Sequence, residues 1–114
     1  MNRNQMEGNR DHVRPRYNVI VADNFHYMDP SHHWKQGSYE TCEQAIAVCR
    51  CIVERSIAAS YKPGISADAL FKNYVSFGDD PFVVSTDYSE LPVNFSAREY
   101  AAERCRAMCA DRLR

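Results

Sequence analysis

The sequence predicts an α+β domain in which a small, mainly antiparallel three-stranded sheet packs against three helices, in the order β-β-α-α-β-α. Three observations predict it. Two β-rich runs flank a turn signal at Asp29-Pro30-Ser31. Capping boxes open at Thr41 and Ser96, each followed by apolar residues at helical spacing. A short apolar run, Pro81-Phe82-Val83-Val84-Ser85, stands between two helical segments.

Residues 1–16 hold Asn, Arg, Gln, Gly and His with almost no apolar side chains, and read as a flexible polar tail. A single α+β domain is expected over residues 17–112. Its first strand starts at Tyr17, because Val19, Ile20, Val21 and Ala22 are contiguous and mostly β-branched. Carried on to Tyr27, one parity holds Tyr17, Val19, Val21, Phe25 and Tyr27, and the other holds Asn18, Ile20, Asn24 and His26. Pro30 presets a turn and Asp29 can bond its own backbone, so the chain reverses there. Trp34 to Tyr39 returns as a second strand, interrupted or bulged at Gly37, and completes a hairpin. The first strand is expected in the middle of the sheet with the third beside it.

Each helix has a legible start. Thr41 caps the first and Gln44 can reach back to it; Ala45, Ile46, Cys49, Ile52, Val53 and Ile57 then form one apolar stripe. Lys62-Pro63-Gly64 ends that helix. Ser66 caps the second, Ile65 and Leu70 have the spacing of a hydrophobic staple, and Leu70, Phe71, Tyr74 and Val75 supply its buried side. Gly78 is placed to terminate it, and Asp79-Asp80 before Pro81 reads as a turn. After the third strand, residues 87–94 read as a loop. Ser96 and Glu99 then form the second capping box, with Phe95 and Tyr100 as its staple and Ala101, Cys105 and Met108 facing inward.

Composition excludes several function classes. The 114 residues are 45% apolar and 25% charged with a net charge of −1, which suits one globular domain and gives no global case for nucleic-acid binding. No apolar run approaches the roughly 18 residues of a membrane helix, and the polar start resembles no secretory signal. Charge is unevenly placed. Four Arg face two acids in 1–16, five basic residues face ten acids in 17–97, and five Arg face three acids in 98–114. The body is acidic between basic ends. Five cysteines, an odd number without an export signal, argue against a disulfide framework and point to a reducing, bacterial-type cytoplasm. Their spacings match neither a zinc finger nor a C-x-x-C redox pair.

Candidate chemistry gathers at the hairpin. His26, Asp29, His32 and His33 fall within eight positions around one turn, and imidazole with carboxylate suits Zn, Fe or Ni. A divalent metal is the cofactor such a set would take; the bland alternative is a polar hairpin tip. Cys42, the first helical residue after Thr41, is a candidate reactive thiol, because a helix N-terminus favours thiolate and a nearby His would serve as base. Its place on the Cys49 stripe equally suits a small core residue. Cys51 faces the side of Gln44, Glu54 and Arg55 and is expected exposed. The aromatics Tyr17, Phe25, Tyr27, Trp34 and Tyr39 sit among Asp23, Asp29, Glu40 and Glu43, which repel phosphate, so they suit packing or protein contact and not nucleic acid.

Four segments also carry a family resemblance. They are Asp23-Asn24-Phe25-His26-Tyr27-Met28-Asp29, Gly37-x-Tyr39-x-Thr41-Cys42-x-x-Ala45-Ile46, Phe77-Gly78-Asp79-Asp80-Pro81-Phe82, and Phe95-Ser96-Ala97-x-x-Tyr100-Ala101. Together the segments resemble a family of small uncharacterised bacterial proteins over about residues 17–110, and the resemblance implies no activity. The sequence therefore leads to two expectations. The first is a non-enzymatic cytoplasmic interaction or accessory module, acting on a protein partner or as a homodimer; the second is a metal-binding protein or metal-dependent enzyme using the hairpin at 26–33.

Overall fold

The structure, a computed structural model, describes residues 17–26, 29–86 and 93–112. The expected tail at 1–16, Tyr27 and the greater part of the loop expected at 87–94 lie outside the described residues. The sheet has three strands, β1 (Tyr17–Asp23), β2 (Trp34–Tyr39) and β3 (Asp79–Ser85), in the order β2-β1-β3. Both pairings are antiparallel, so the β-rich first segment takes the central place that its branched residues favour. Alternation holds from Val19 to Val21, after which Ala22 is buried as well. Val19 and Val21 are buried on the side that meets the first helix, and Ile20 between them is half-buried.

The expected bulge is present. Val19 pairs with Gly37 and Ile20 with Lys35, so Gln36 is the extra residue beside the glycine.

Two expectations about strand ends are corrected. β1 stops at Asp23 and does not continue to Tyr27, because the Asp23 carboxylate accepts the Phe25 N–H at 2.9 Å and bends the chain into a 3-10 turn, Asn24–His26. Phe25, expected on the strand parity of Val19 and Val21, is 63% exposed as a result. Conversely, Asp79-Asp80 is no turn. Asp79 pairs with Asp23 and Asp80 with Ala22, which extends β3 by two residues. Pro81 keeps Asp80 out of the helical region, the Asp79 N–H donates to Ser56 Oγ, and Tyr74 Oη–H donates to the Asp79 carbonyl. Pro81 is tolerated because β3 is an edge strand.

Three helices follow the expected starts: α1 (Cys42–Ser60), α2 (Ala67–Phe77) and α3 (Ala97–Arg112). Thr41 Oγ1 accepts the Gln44 N–H while Gln44 Oε1 accepts the Thr41 N–H, which closes the capping box. Ser66 caps α2 through the Ala69 N–H, and Ser96 caps α3 through the Glu99 N–H. The turn after α1 closes with the Ile65 N–H on the Lys62 carbonyl, and Gly64 takes φ +91°, which disfavours any residue with a Cβ. Gly78 ends α2 by a different route. Its φ is −79°, and a Cβ there would lie 2.6 Å from Tyr74 Cδ1, so close approach is what the glycine permits.

Buried residues of α1 recur every four positions: Ala45, Cys49, Val53 and Ile57. Ala45 and Cys49 pack on Val19 and Val21 of the sheet. Val53 and Ile57 pack with Leu70 and Tyr74 of α2 and with Ala97, Ala101, Cys105 and Cys109 of α3. One helix face thus joins the sheet to the helical layer. No helix among the described residues is long and apolar enough to cross a membrane.

Candidate functional site

The end of β1 and the start of β2 are joined through two short 3-10 turns, Asn24–His26 and Pro30–His32. Each is opened by an aspartate. The Asp23 carboxylate accepts the Phe25 N–H, and Asp29 accepts the Ser31 N–H at 3.0 Å and the Ser31 hydroxyl at 2.6 Å. A 3-10 turn has three residues per turn, so side chains at i and i+3 eclipse. Accordingly His26 Nδ1 meets Asp23 Oδ2 at 2.9 Å, and His32 Nε2 lies 3.5 Å from Asp29 Oδ2. The pattern Asp-x-x-His occurs twice, six residues apart. The second turn lays its ring on the first: His26 and His32 stack with centroids 3.7 Å apart and planes within 4°.

Asp23, His26 and His32 each offer a donor atom, and all three atoms lie within 4.8 Å of one another. His26 and His32 are therefore brought together as the sequence reading expected, and Asp23 joins them. Asp29 stands beside His32 and outside the trio. His33 is turned away, with its ring edge-on to Phe82 at 6.1 Å on the β3 side. Sequence reasoning missed Asp23 because it was assigned to the interior of a longer strand. The repeated Asp-x-x-His tetrad was the signal that could have found it.

Electrostatics agree with the contacts. The hydrogen bond with His26, aided by the Phe25 N–H, holds the Asp23 carboxyl below the usual carboxylate range. Hydrogen bonds from Ser31 do the same for Asp29. The donors are accessible: Asp23 and His26 are half-buried and His32 is exposed.

Cys42 occupies the first position of α1 and is half-buried. It adjoins the Tyr39 end of β2, whereas His32 and His33 adjoin the Trp34 end. Six strand residues, roughly 17–20 Å, separate the two ends. The imidazoles that were expected to serve as its base are therefore remote from it. Cys51 is exposed as expected; Cys49 and Cys105 are buried, and burial pushes both thiols up to about 11.

Beside the cluster stands an exposed aromatic pair. Phe25 and Phe77 stack with centroids 5.6 Å apart, and they are 63% and 65% exposed. Phe25 also meets the His26 ring edge-on at 4.9 Å. The pair is held by Asn24, whose backbone N–H donates to the Gly78 carbonyl and whose Nδ2 donates to the Tyr74 carbonyl, both at 3.0 Å. No family model, curated protein or solved structure matches this chain. Its functional reading rests on this geometry.

Proposed function

We propose that the chain is a small binding module that takes up a divalent transition metal at Asp23, His26 and His32. The observation that carries this reading is the convergence of three donor atoms within 4.8 Å. Two imidazoles and one carboxylate form a donor set suited to Zn, Fe, Co or Ni, with remaining positions open to water. The 2.9 Å separation of His26 Nδ1 and Asp23 Oδ2 is also favourable. Two donors at right angles, each about 2.1 Å from an ion, lie about 3 Å apart. Asp29 would steady His32 through Nε2 and leave the other ring nitrogen for the metal. Each nitrogen lone pair lies in its ring plane, so uptake requires the stacked rings to splay.

Titration of the untagged chain with Zn(II), and with Co(II) followed by visible absorption, tests this reading. One equivalent should bind, and the His26 and His32 ring-proton resonances should shift together. His26→Ala and His32→Ala should each weaken binding at least tenfold, and His33→Ala should not. Binding unchanged in the His26 and His32 variants would sink the reading.

A second reading, contact with another protein, rests on the exposed Phe25–Phe77 stack, and a second copy of the chain is the first partner to test. The same samples separate the two. A metal site responds to His32→Ala at unchanged molecular mass, whereas a dimer contact responds to Phe77→Ser by light scattering with metal uptake intact.

A further inference from the structure

Asn24, Tyr74, Val75, Asp80 and Arg98 line a partly open cavity of about 350 Å³. The volume falls at the low end of the roughly 300–1,000 Å³ typical of small-ligand sites. Four elements contribute to it: the turn after β1, α2, β3 and the first turn of α3. Its polar groups differ in what they are already doing. The Tyr74 hydroxyl donates to the Asp79 carbonyl and the Asn24 amide N–H₂ donates to the Tyr74 carbonyl, so both side chains are fixed as wall. Asp80 and Arg98 are different. Among the described residues, neither side chain forms an ion pair, although both line the same cavity.

A half-buried carboxylate without a partner is costly to desolvate, and here burial raises its pKa while Arg98 acts on it only through space. With no ion pair between them, the negative and the positive group that line this cavity are both left to pair with a ligand. The ligand that satisfies both carries a cation and an anion on one small body. We propose that this cavity binds a free α-amino acid, its ammonium group toward Asp80 and its carboxylate toward Arg98. A guanidinium matches a carboxylate with two parallel hydrogen bonds. Tyr74 and Val75 offer ring and methyl surface to the ligand side chain. A peptide end brings only one of the two charges, so the cavity selects the free amino acid over a peptide. The proposal is independent of the metal reading, since no member of the Asp23–His26–His32 trio lines the cavity.

Calorimetric titration of the full chain, in the presence of EDTA, with the free L-amino acids tests it. At least one should bind saturably, and its N-acetyl and methyl-ester derivatives should each bind at least tenfold more weakly. Asp80→Asn should erase the preference for the free over the N-acetyl form, and Arg98→Gln the preference for the free acid over the ester. Circular dichroism of both variants confirms that they fold. Absence of saturable binding by any free amino acid overturns the proposal. So does a blocked derivative, of either kind, that binds as well as its parent.

Discussion

Asp79 and Asp80 are adjacent in sequence, and folding partly withdraws both carboxyl groups from water. Burial raises the pKa of each; the negative charge of Asp23 adds to this at Asp79, and Arg98 opposes it at Asp80. The folded state thus holds these protons more tightly than the unfolded chain does. Where the folded state binds more protons, stability falls as pH rises, here from the ordinary carboxylate value upward through the raised folded values. An Asp79→Asn, Asp80→Asn double variant keeps the size of both side chains and removes this dependence. Urea denaturation from about pH 4 to pH 7 should show the variant gaining on the parent as pH rises. A constant difference across that range would count against the assignment.

At the scale of elements, the end of α2 controls how the site is built. The Tyr74 carbonyl accepts both the Gly78 N–H at 2.8 Å and the Asn24 side-chain amide, so the last turn of α2 is tied to the turn that carries Phe25 and His26. Gly78 makes this approach possible. Its φ is one that any residue can adopt, but a Cβ would meet Tyr74 Cδ1 at 2.6 Å and the Tyr74 carbonyl oxygen at 2.9 Å. Gly78→Ala should therefore cost about 1–3 kcal/mol through overpacking, read from the urea midpoint at unchanged slope. A neutral substitution would mean that Tyr74 yields freely and the tie is weak. The helix starts behave otherwise, since each is secured by hydroxyl and amide groups within four residues of one another.

Over the whole molecule, α1 is the shared wall. Its first two buried positions close the sheet core and its last two close the core between the helices, on a single line of side chains. The two clusters should accordingly melt as one unit. Ile57→Ala lies entirely on the helical side, and should cost about 3 kcal/mol while preserving a single transition by both near- and far-ultraviolet circular dichroism. A sheet signal that survives loss of the helical one would show that the cores are separable. Small residues at the α3 contact, Ala97, Ala101, Cys105 and Cys109, let that helix lie close against Val53 and Ile57.

The sequence by itself determined the element types, their order and the three helix starts, whereas the central place of β1 was expected but fixed only by the pairing of the strands. Element types and helix starts depend on residues one to four positions apart, where periodicity and capping act directly. It also indicated His26 and His32, because histidine density is visible without a fold. Asp23 was hidden, since one carboxylate hydrogen bond to the Phe25 N–H decided whether that residue continued a strand or began a turn. Only the tertiary structure decided that Asp79 and Asp80 join β3, that the two imidazoles stack, and that Asn24, Asp80 and Arg98 share one cavity. These meetings join residues as much as seventy-four positions apart in the chain. Meetings over that distance follow from how strands and helices pack together, which no local pattern encodes.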